Sequence, residues 1–329
     1  MAQDVKYKKK QEAKLQNTSS KNEDDASKPV PLRYGPLPKL KGQRIFSRIV
    51  VVISVLTYAW FFSPTQNNKK ETALALQGYV YQSRGQSVKC DRAYLEDINK
   101  YPGCIPKKCA RMINDEIVTQ SEADILLWFA KRAMSFAKPK GGVTIMDLHS
   151  GALTYEDSFI NIYKTSEQGF VTTRDLFIYR DVRNKIQKSI ALAFNLDVTK
   201  LYLTHPTFFS RMTNKEPQNI HDEYWHPHVD KDTYDSFHYT SLLYLSDHNI
   251  DFVGGRFIYQ DNLQNPKENV TVEPRKGRVS FFTSGAENPH FVERVTEGER
   301  YAITISFTCD ETKKIADPFD AVQHAHPVH

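Results

Sequence analysis

The chain has 329 residues, 25% of them charged and 12% aromatic, a make-up that fits a globular protein and excludes a wholly disordered one. Its net charge of +5 is unevenly placed: residues 1–48 carry twelve Lys/Arg against five Asp/Glu, so the remainder is slightly acidic. A basic tail on an acidic body argues against nucleic acid as the main partner.

Residues 1–44 are rich in Lys, Gln, Ser and Pro and show no apolar period, so they read as a disordered basic cytosolic tail. The run Ile49–Phe62 follows, fourteen uncharged and mostly apolar residues, or eighteen when counted from Ile45 with Arg48 inside. A bilayer span takes about 17–25 residues. Arg48 can snorkel to one interface, and Tyr58 and Trp60 suit the other. A basic leader of 44 residues is too long for a cleaved signal peptide. Residues 45–63 are therefore expected to be a single transmembrane signal anchor. The basic flank stays in the cytosol, giving a type II membrane protein whose body faces the lumen of the ER or Golgi.

Residues 64–118 are expected to form a lumenal stem. Cys90, Cys104, Cys109 and Cys309 all follow the anchor, and an even number in an oxidising compartment predicts two disulfides, with three connectivities open. Cys309, near the end of the chain, can tie the stem to the last strand. Asn269-Val270-Thr271 is a glycosylation acceptor on the lumenal side, whereas Asn17-Thr18-Ser19 falls on the cytosolic side.

A helix is predicted from Thr119, capped by Ser121 with Asp124 three residues on. Ile125, Leu126, Phe129, Met134 and Phe136 supply its apolar surface, and Pro139 with Gly141-Gly142 ends it. A second helix, Arg174–Phe194, sets Phe177, Ile178, Val182, Ile186, Ile190 and Phe194 in one stripe. From Lys200 the apolar period becomes two. Strands are predicted over Leu201–Met212, His238–Ser246, Gly254–Gln260, Val270–Glu273, Arg278–Thr283, Phe291–Val295 and Arg300–Thr308. Helices followed by many strands imply an α+β domain over 119–309, with a double-stranded β-helix (jelly-roll) core and flanking N-terminal helices. Residues 310–329 read as a C-terminal tail, with His324, His326 and His329 a weak metal-binding end.

The chemistry concentrates in Trp225–Asp230, which contains His228-Val229-Asp230. On a strand, residues two apart share a face, so this imidazole and carboxylate can hold one metal ion. His290 and then Arg300 follow. Two histidines and a carboxylate match the facial triad of non-haem Fe(II) oxygenases, which leaves three of six metal positions open. A 2-oxo acid fills two of these and O2 the third. The co-substrate's distal carboxylate then needs a cation, and a guanidinium such as Arg300 fits it bidentately. Arg300, Ala302, Thr304 and Ser306 share a small, polar face, whereas Tyr301, Ile303, Ile305 and Phe307 share a packing face. Tyr244 is placed to offer its hydroxyl to the same carboxylate. His221-Asp222-Glu223 competes for the first two ligands, but the strand-like Val229 favours His228 and Asp230. His226 and His238 are expected behind the ligands or facing substrate. The loop Asp232–Phe237 is expected to cover the substrate.

In order, the helix, H-x-D, Y-x-x-x-L-Y-L-S-D-like strand, G-G-R-F, P-x-x-G-R-V-x-F-F, His and G-x-R-Y resemble the prolyl 4-hydroxylase-like 2-oxoglutarate/Fe(II) dioxygenases, over roughly residues 119–309. The resemblance implies His228, Asp230 and His290 as iron ligands, Arg300 as the 2-oxoglutarate anchor and Tyr244 as its assistant. It also implies Fe(II) as cofactor, 2-oxoglutarate and O2 as co-substrates, ascorbate as a reductant, and succinate and CO2 as co-products. The implied partner is a protein or peptide hydroxylated on a side chain. Collagen-type prolyl hydroxylases carry Lys at the Arg300 position, so the resemblance supports the co-substrate more than the choice of proline. The rivals are a catalytically inactive jelly-roll binding module in the secretory lumen, a zinc hydrolase and a lectin-like jelly roll. None of these has a use for both the metal triad and Arg300.

Overall fold

The computed structural model describes residues 42–62, 71–164, 170–218, 222–261 and 269–318. Nearly all of the predicted tail, His221, and the C-terminal His324, His326 and His329 lie outside the described residues. The chain divides into two compact units, residues 1–65 and 66–329. The first contains helix α1 (Gln43–Phe62), whose span coincides with the predicted apolar run. Its described side chains are those of Ile45–Tyr58. Among the described residues no helix is long and apolar enough to cross a membrane.

The second unit opens with β1 (Thr72–Ala75), β2 (Arg84–Val88), helix α2 (Arg92–Ile98) and β3 (Cys109–Asn114). These residues are not a separate stem. β1 pairs with β12 (Asn269–Val272), and β3 lies between β2 and β13 (Val279–Thr283) in the large sheet. These strands are short, and the partners of β1 and β3 lie far along the chain, that of β2 across an intervening helix, so no local pattern marked them. Helix α3 (Gln120–Met134) begins earlier than the predicted Ser121 cap. Thr119 is the cap: its hydroxyl accepts from the Glu122 N–H, and the Glu122 carboxylate accepts from the Thr119 N–H at 2.9 Å.

The short β4 (Lys138–Pro139), β5 (Val143–Asp147), β6 (Ala152–Glu156) and β7 (Ser158–Asn161) then extend the large sheet. Helix α4 (Thr173–Phe194) carries the second predicted stripe with one change. Phe177 is exposed, and Leu176 and Tyr179 take the buried positions beside Val182, Ile186, Ile190 and Phe194. Thr172 and Asp175 form its capping box, and the buried Asp175 carboxylate pairs with Arg132 of α3, joining the two helices.

The remaining elements are β8 (Tyr202–Met212), the single-turn helix α5 (Asp230–Thr233), β9 (Tyr239–Tyr244), β10 (Phe252–Gly254), β11 (Phe257–Gln260), β12 and β13, β14 (His290–Val292), β15 (Val295–Gly298) and β16 (Arg300–Thr308). In the large sheet the run β13-β9-β16-β8 is antiparallel. The small sheet runs β12-β11-β14, with His228 bridged antiparallel to His290 at its edge. From β8 onward, β8, β9, β13 and β16 lie in the large sheet and β11, β12 and β14 in the small one, and the two sheets face each other as the double-stranded β-helix.

One core lies outside the large sheet. There Leu126, Phe129, Ile186 and Phe194 meet Phe209, Leu243, Ile303 and Phe307, so both helices cover the sheet as expected. Each such side chain contributes about 1.5–3 kcal/mol on burial. A smaller core fills the space between the sheets, where Leu242, Tyr244 and Phe282 face Phe257, Tyr259 and Val292.

Two disulfides form, Cys90–Cys109 and Cys104–Cys309. The second joins the N-terminal segment to the end of β16, so the predicted link to the last strand is made. Helix α2 adds an electrostatic tie: Asp97 meets the Lys231 ammonium at 2.7 Å and His238 Nε2 at 3.1 Å. His238 is buried in this network, where its Nδ1 accepts the Cys309 N–H at 3.1 Å, so of the two expected placements, behind the ligands or facing substrate, it does not take the second. Burial lowers its pKa to about 4, with the Lys231 charge adding to the effect and Asp97 opposing it.

An imidazole that is neutral when folded but has its ordinary pKa of about 6.5 when unfolded binds fewer protons in the native state. Stability is then complete above about pH 6.5 and falls as the pH drops toward 4. Urea unfolding of the protein at pH 7 and pH 5 should show His238 costing about 2 kcal/mol at the lower pH. A His238→Asn variant should start less stable at pH 7 and lose that part of the acid dependence.

Candidate active site

His228, Asp230 and His290 come together on the inner side of the β-helix, their ligand atoms all within 4.8 Å of one another. The strand argument for His228-x-Asp230 holds only in part. His228 is extended against β14, with its N–H and C=O both bonded to His290 at 2.9 Å, but Asp230 opens α5. The turn at Asp230 swings the carboxylate beneath the two rings, where Oδ1 lies 3.8 Å from His228 Nε2 and 3.6 Å from His290 Nε2.

The tautomers suit metal binding. Nδ1 of His290 donates to the Asn288 carbonyl at 2.9 Å, and Nδ1 of His228 to the His226 carbonyl at 3.2 Å. Both Nε2 atoms then face Asp230. The carboxylate is oriented likewise: Oδ2 accepts from the Thr240 hydroxyl at 2.7 Å, and that hydroxyl accepts in turn from Ser284 at 2.9 Å. Burial raises the Asp230 pKa, but the His290 charge and hydrogen bonds from His290 and Thr240 outweigh it and hold the group below the ordinary carboxylate value. Burial also lowers the pKa of His228.

The same residues line a cavity of about 230 Å³ whose far wall includes Arg300, Ser210 and Thr304. Arg300, Arg111 and Arg278 are among the largest fully buried side chains. Arg278 pairs with Asp115, and Arg111 with Asp261. Among the described residues no carboxylate pairs with Arg300. Its Nε donates to the Gly255 carbonyl at 2.8 Å, its Nη1 meets only the Met212 sulfur at 3.7 Å, and its Nη2 has no partner. Burial pushes its pKa down, opposed by Tyr244 and Tyr224. A buried, unpaired guanidinium costs several kcal/mol unless an anion joins it.

Tyr244 is fully buried beside that guanidinium, its ring centroid 5.5 Å from the Arg300 Cζ. Its hydroxyl, expected at the co-substrate carboxylate, is engaged with Ser280 at 3.2 Å. Tyr224 lines the cavity instead. The other sequence-predicted residues separate. His226 is exposed and pairs with Glu223 at 2.6 Å. Thr233, Tyr234 and Phe237 of the predicted covering loop do line the cavity. Asn269 opens β12 opposite Gln260, away from the ligand set.

Several site residues escaped sequence reasoning. Thr240 shares a strand face with Tyr244, which was a usable signal. Gly255 has φ +63°, and a Cβ there would meet Arg300 Cδ at 3.0 Å, so the G-G-R run marks a close approach to the anchor. Arg111 had no local signal. From β3 it donates to the Asn288 side chain at 2.7 Å, fixing the residue whose carbonyl orients His290.

A facial His-Asp-His set beside a buried arginine defines a non-haem iron site of the 2-oxoglutarate type. Residues 214–308 match the 2OG-Fe(II) oxygenase superfamily, and the chain belongs to it. It is 45% identical to 2-oxoglutarate and iron-dependent oxygenase domain-containing protein 3 of Rattus norvegicus, over 84% of this chain and 89% of that protein. The Homo sapiens protein of the same name is 42% identical over 93% and 94%. Prolyl 3-hydroxylase 1 of Homo sapiens is 33% identical over 45% of this chain and 21% of its own length. The family's cofactor is Fe(II), with 2-oxoglutarate and O2 as co-substrates.

Partners that orient a metal ligand are worth about 10–100-fold in affinity. Anaerobic Fe(II) titration of Thr240→Val should show a loss in that range, with the fold intact by circular dichroism. Asp230→Ala should abolish measurable binding.

Proposed function

We propose that the protein is a membrane-anchored dioxygenase that hydroxylates a side chain of a protein or peptide, consuming O2 and 2-oxoglutarate and releasing succinate and CO2. Arg300 carries this reading: a fully buried guanidinium with an unpartnered Nη2 in the cavity of the metal ligands calls for an anion, and a carboxylate matches its fork. The donor set fits Fe(II), with two imidazole nitrogens and one carboxylate oxygen converging within 4.8 Å of one another.

Iron held by His228, Asp230 and His290 supplies the oxidative decarboxylation of 2-oxoglutarate and the coupled hydroxylation, with ascorbate keeping it reduced. The chain's own part is placement. Gly255 aims the Arg300 fork by taking its Nε–H, and the fork would hold the distal carboxylate of 2-oxoglutarate. Thr240 keeps the second oxygen of Asp230 occupied, so a single oxygen is presented. Tyr234 and Phe237 wall the cavity and keep water from the reacting end.

The full-length protein, given Fe(II), 2-oxoglutarate, ascorbate and a substrate-bearing lysate, should form succinate only in the presence of O2. Arg300→Ala should raise the 2-oxoglutarate requirement about 10–100-fold, the worth of a charge-assisted fork. Metal binding that survives with no 2-oxoglutarate affinity in the parent protein would point instead to the inactive binding module.

The anchor rests on the composition of residues 45–63 and the basic flank before them, with the body then in the ER or Golgi lumen. The two disulfides suit that compartment. Expressed in cells, the protein should carry a glycan that Asn269→Gln removes and Asn17→Gln does not. Because Thr271 is buried in β12, this glycan must be added before the sheet closes. Modification of Asn17 instead would reverse the topology.

A further inference from the structure

The cavity around Arg300 and the metal ligands continues beyond its mouth. Phe208 and Tyr234 line both it and a second hollow of about 260 Å³ over β5 and β6. Tyr234, Ile145 and Phe159 in turn link that hollow to a third of about 270 Å³ at the β6–β7 turn. The result is a groove leading from the reaction centre across the extension of the large sheet.

The groove has two distinguishing features. Large rings stand exposed in it, Phe159 by 63% and Tyr234 by 40%. Among the described residues its charge is also mostly acidic: Asp147, Glu156 and Asp157 line it, with the buried Asp222 beside them, against the ammonium of Lys140, which pairs with Asp157. Asp232 and Asp235 add exposed carboxylates on the loop that bears Tyr234. That loop is tied down, because Lys231 Nζ donates to the Asp235 carbonyl at 2.8 Å while pairing with Asp97 at 2.7 Å. The metal cavity itself has room for a side chain and a small co-substrate but not for a folded domain. Whatever delivers the side chain must lie outside it, along the groove.

We propose that this groove binds an extended, basic stretch of polypeptide, whose lysine or arginine side chains lie over the carboxylates while one residue reaches past Tyr234 into the cavity. This rests on the oxygenase reading and names the substrate class for the same site. Exposed rings offer apolar faces to such a chain, and a mostly acidic lining draws in the opposite charge.

The test uses the full-length protein in neutral detergent with Fe(II) and 2-oxoglutarate under anaerobic conditions. The probes are two fluorescein-labelled unstructured peptides of Gly, Ser and Pro, one lysine-rich and one glutamate-rich, read by polarisation. The lysine-rich peptide should bind about tenfold tighter or more, with the preference shrinking as salt is raised. Glu156→Gln combined with Asp157→Asn, which also frees Lys140 to repel, should weaken it about three- to tenfold. Phe159→Ala should weaken it similarly. 2-Oxoglutarate affinity should not change in either variant. Equal binding of both peptides, or binding indifferent to these variants, while 2-oxoglutarate still binds would overturn the groove and leave the oxygenase standing. Selective binding of the lysine-rich peptide without any 2-oxoglutarate affinity would overturn the oxygenase reading and keep the groove.

Discussion

The interior depends on one uncompensated charge. Arg300 is buried at the start of β16 with no carboxylate partner among the described residues, whereas Arg111 and Arg278, equally buried, each have one. Such a charge persists only if the surrounding packing forces it to and a ligand relieves it. Here the close approach of Gly255, the ring of Tyr244 and the sheet pairing of β16 hold the guanidinium at the cavity. The metal ligands, the polar strand face and the co-substrate follow from that constraint.

The ligand set is itself a product of two sheets meeting. His228 and His290 exchange backbone hydrogen bonds across the edge of the small sheet, while Asp230 is oriented by Thr240 of the large one. Neither sheet alone carries the site, and a shift of one residue in either register would turn a ligand away.

The N-terminal segment is structurally part of this centre. Arg111 of β3 holds Asn288, which orients His290. Asp97 of α2 holds Lys231, next to the ligand Asp230. The disulfide from Cys104 to Cys309 closes the same region onto the end of β16. A segment without ligands of its own thus braces two of the three ligand positions.

The sequence by itself determined what depends on local order and residue chemistry. The apolar run that becomes α1, the stripe of α4, the alternation of β16 and the identities of His228, Asp230, His290 and Arg300 were all legible. Period and donor type are written along the chain. Tertiary structure alone decided what depends on residues distant in sequence. It made 71–118 part of the sheets, moved Tyr244 from ligand contact to support, brought in Thr240 and Arg111, and joined three hollows into a groove. The physical reason is that strand pairing and buried hydrogen bonds form between segments up to some two hundred residues apart, as between Arg278 and Leu76 with a separation of 202, and no local pattern records such partners.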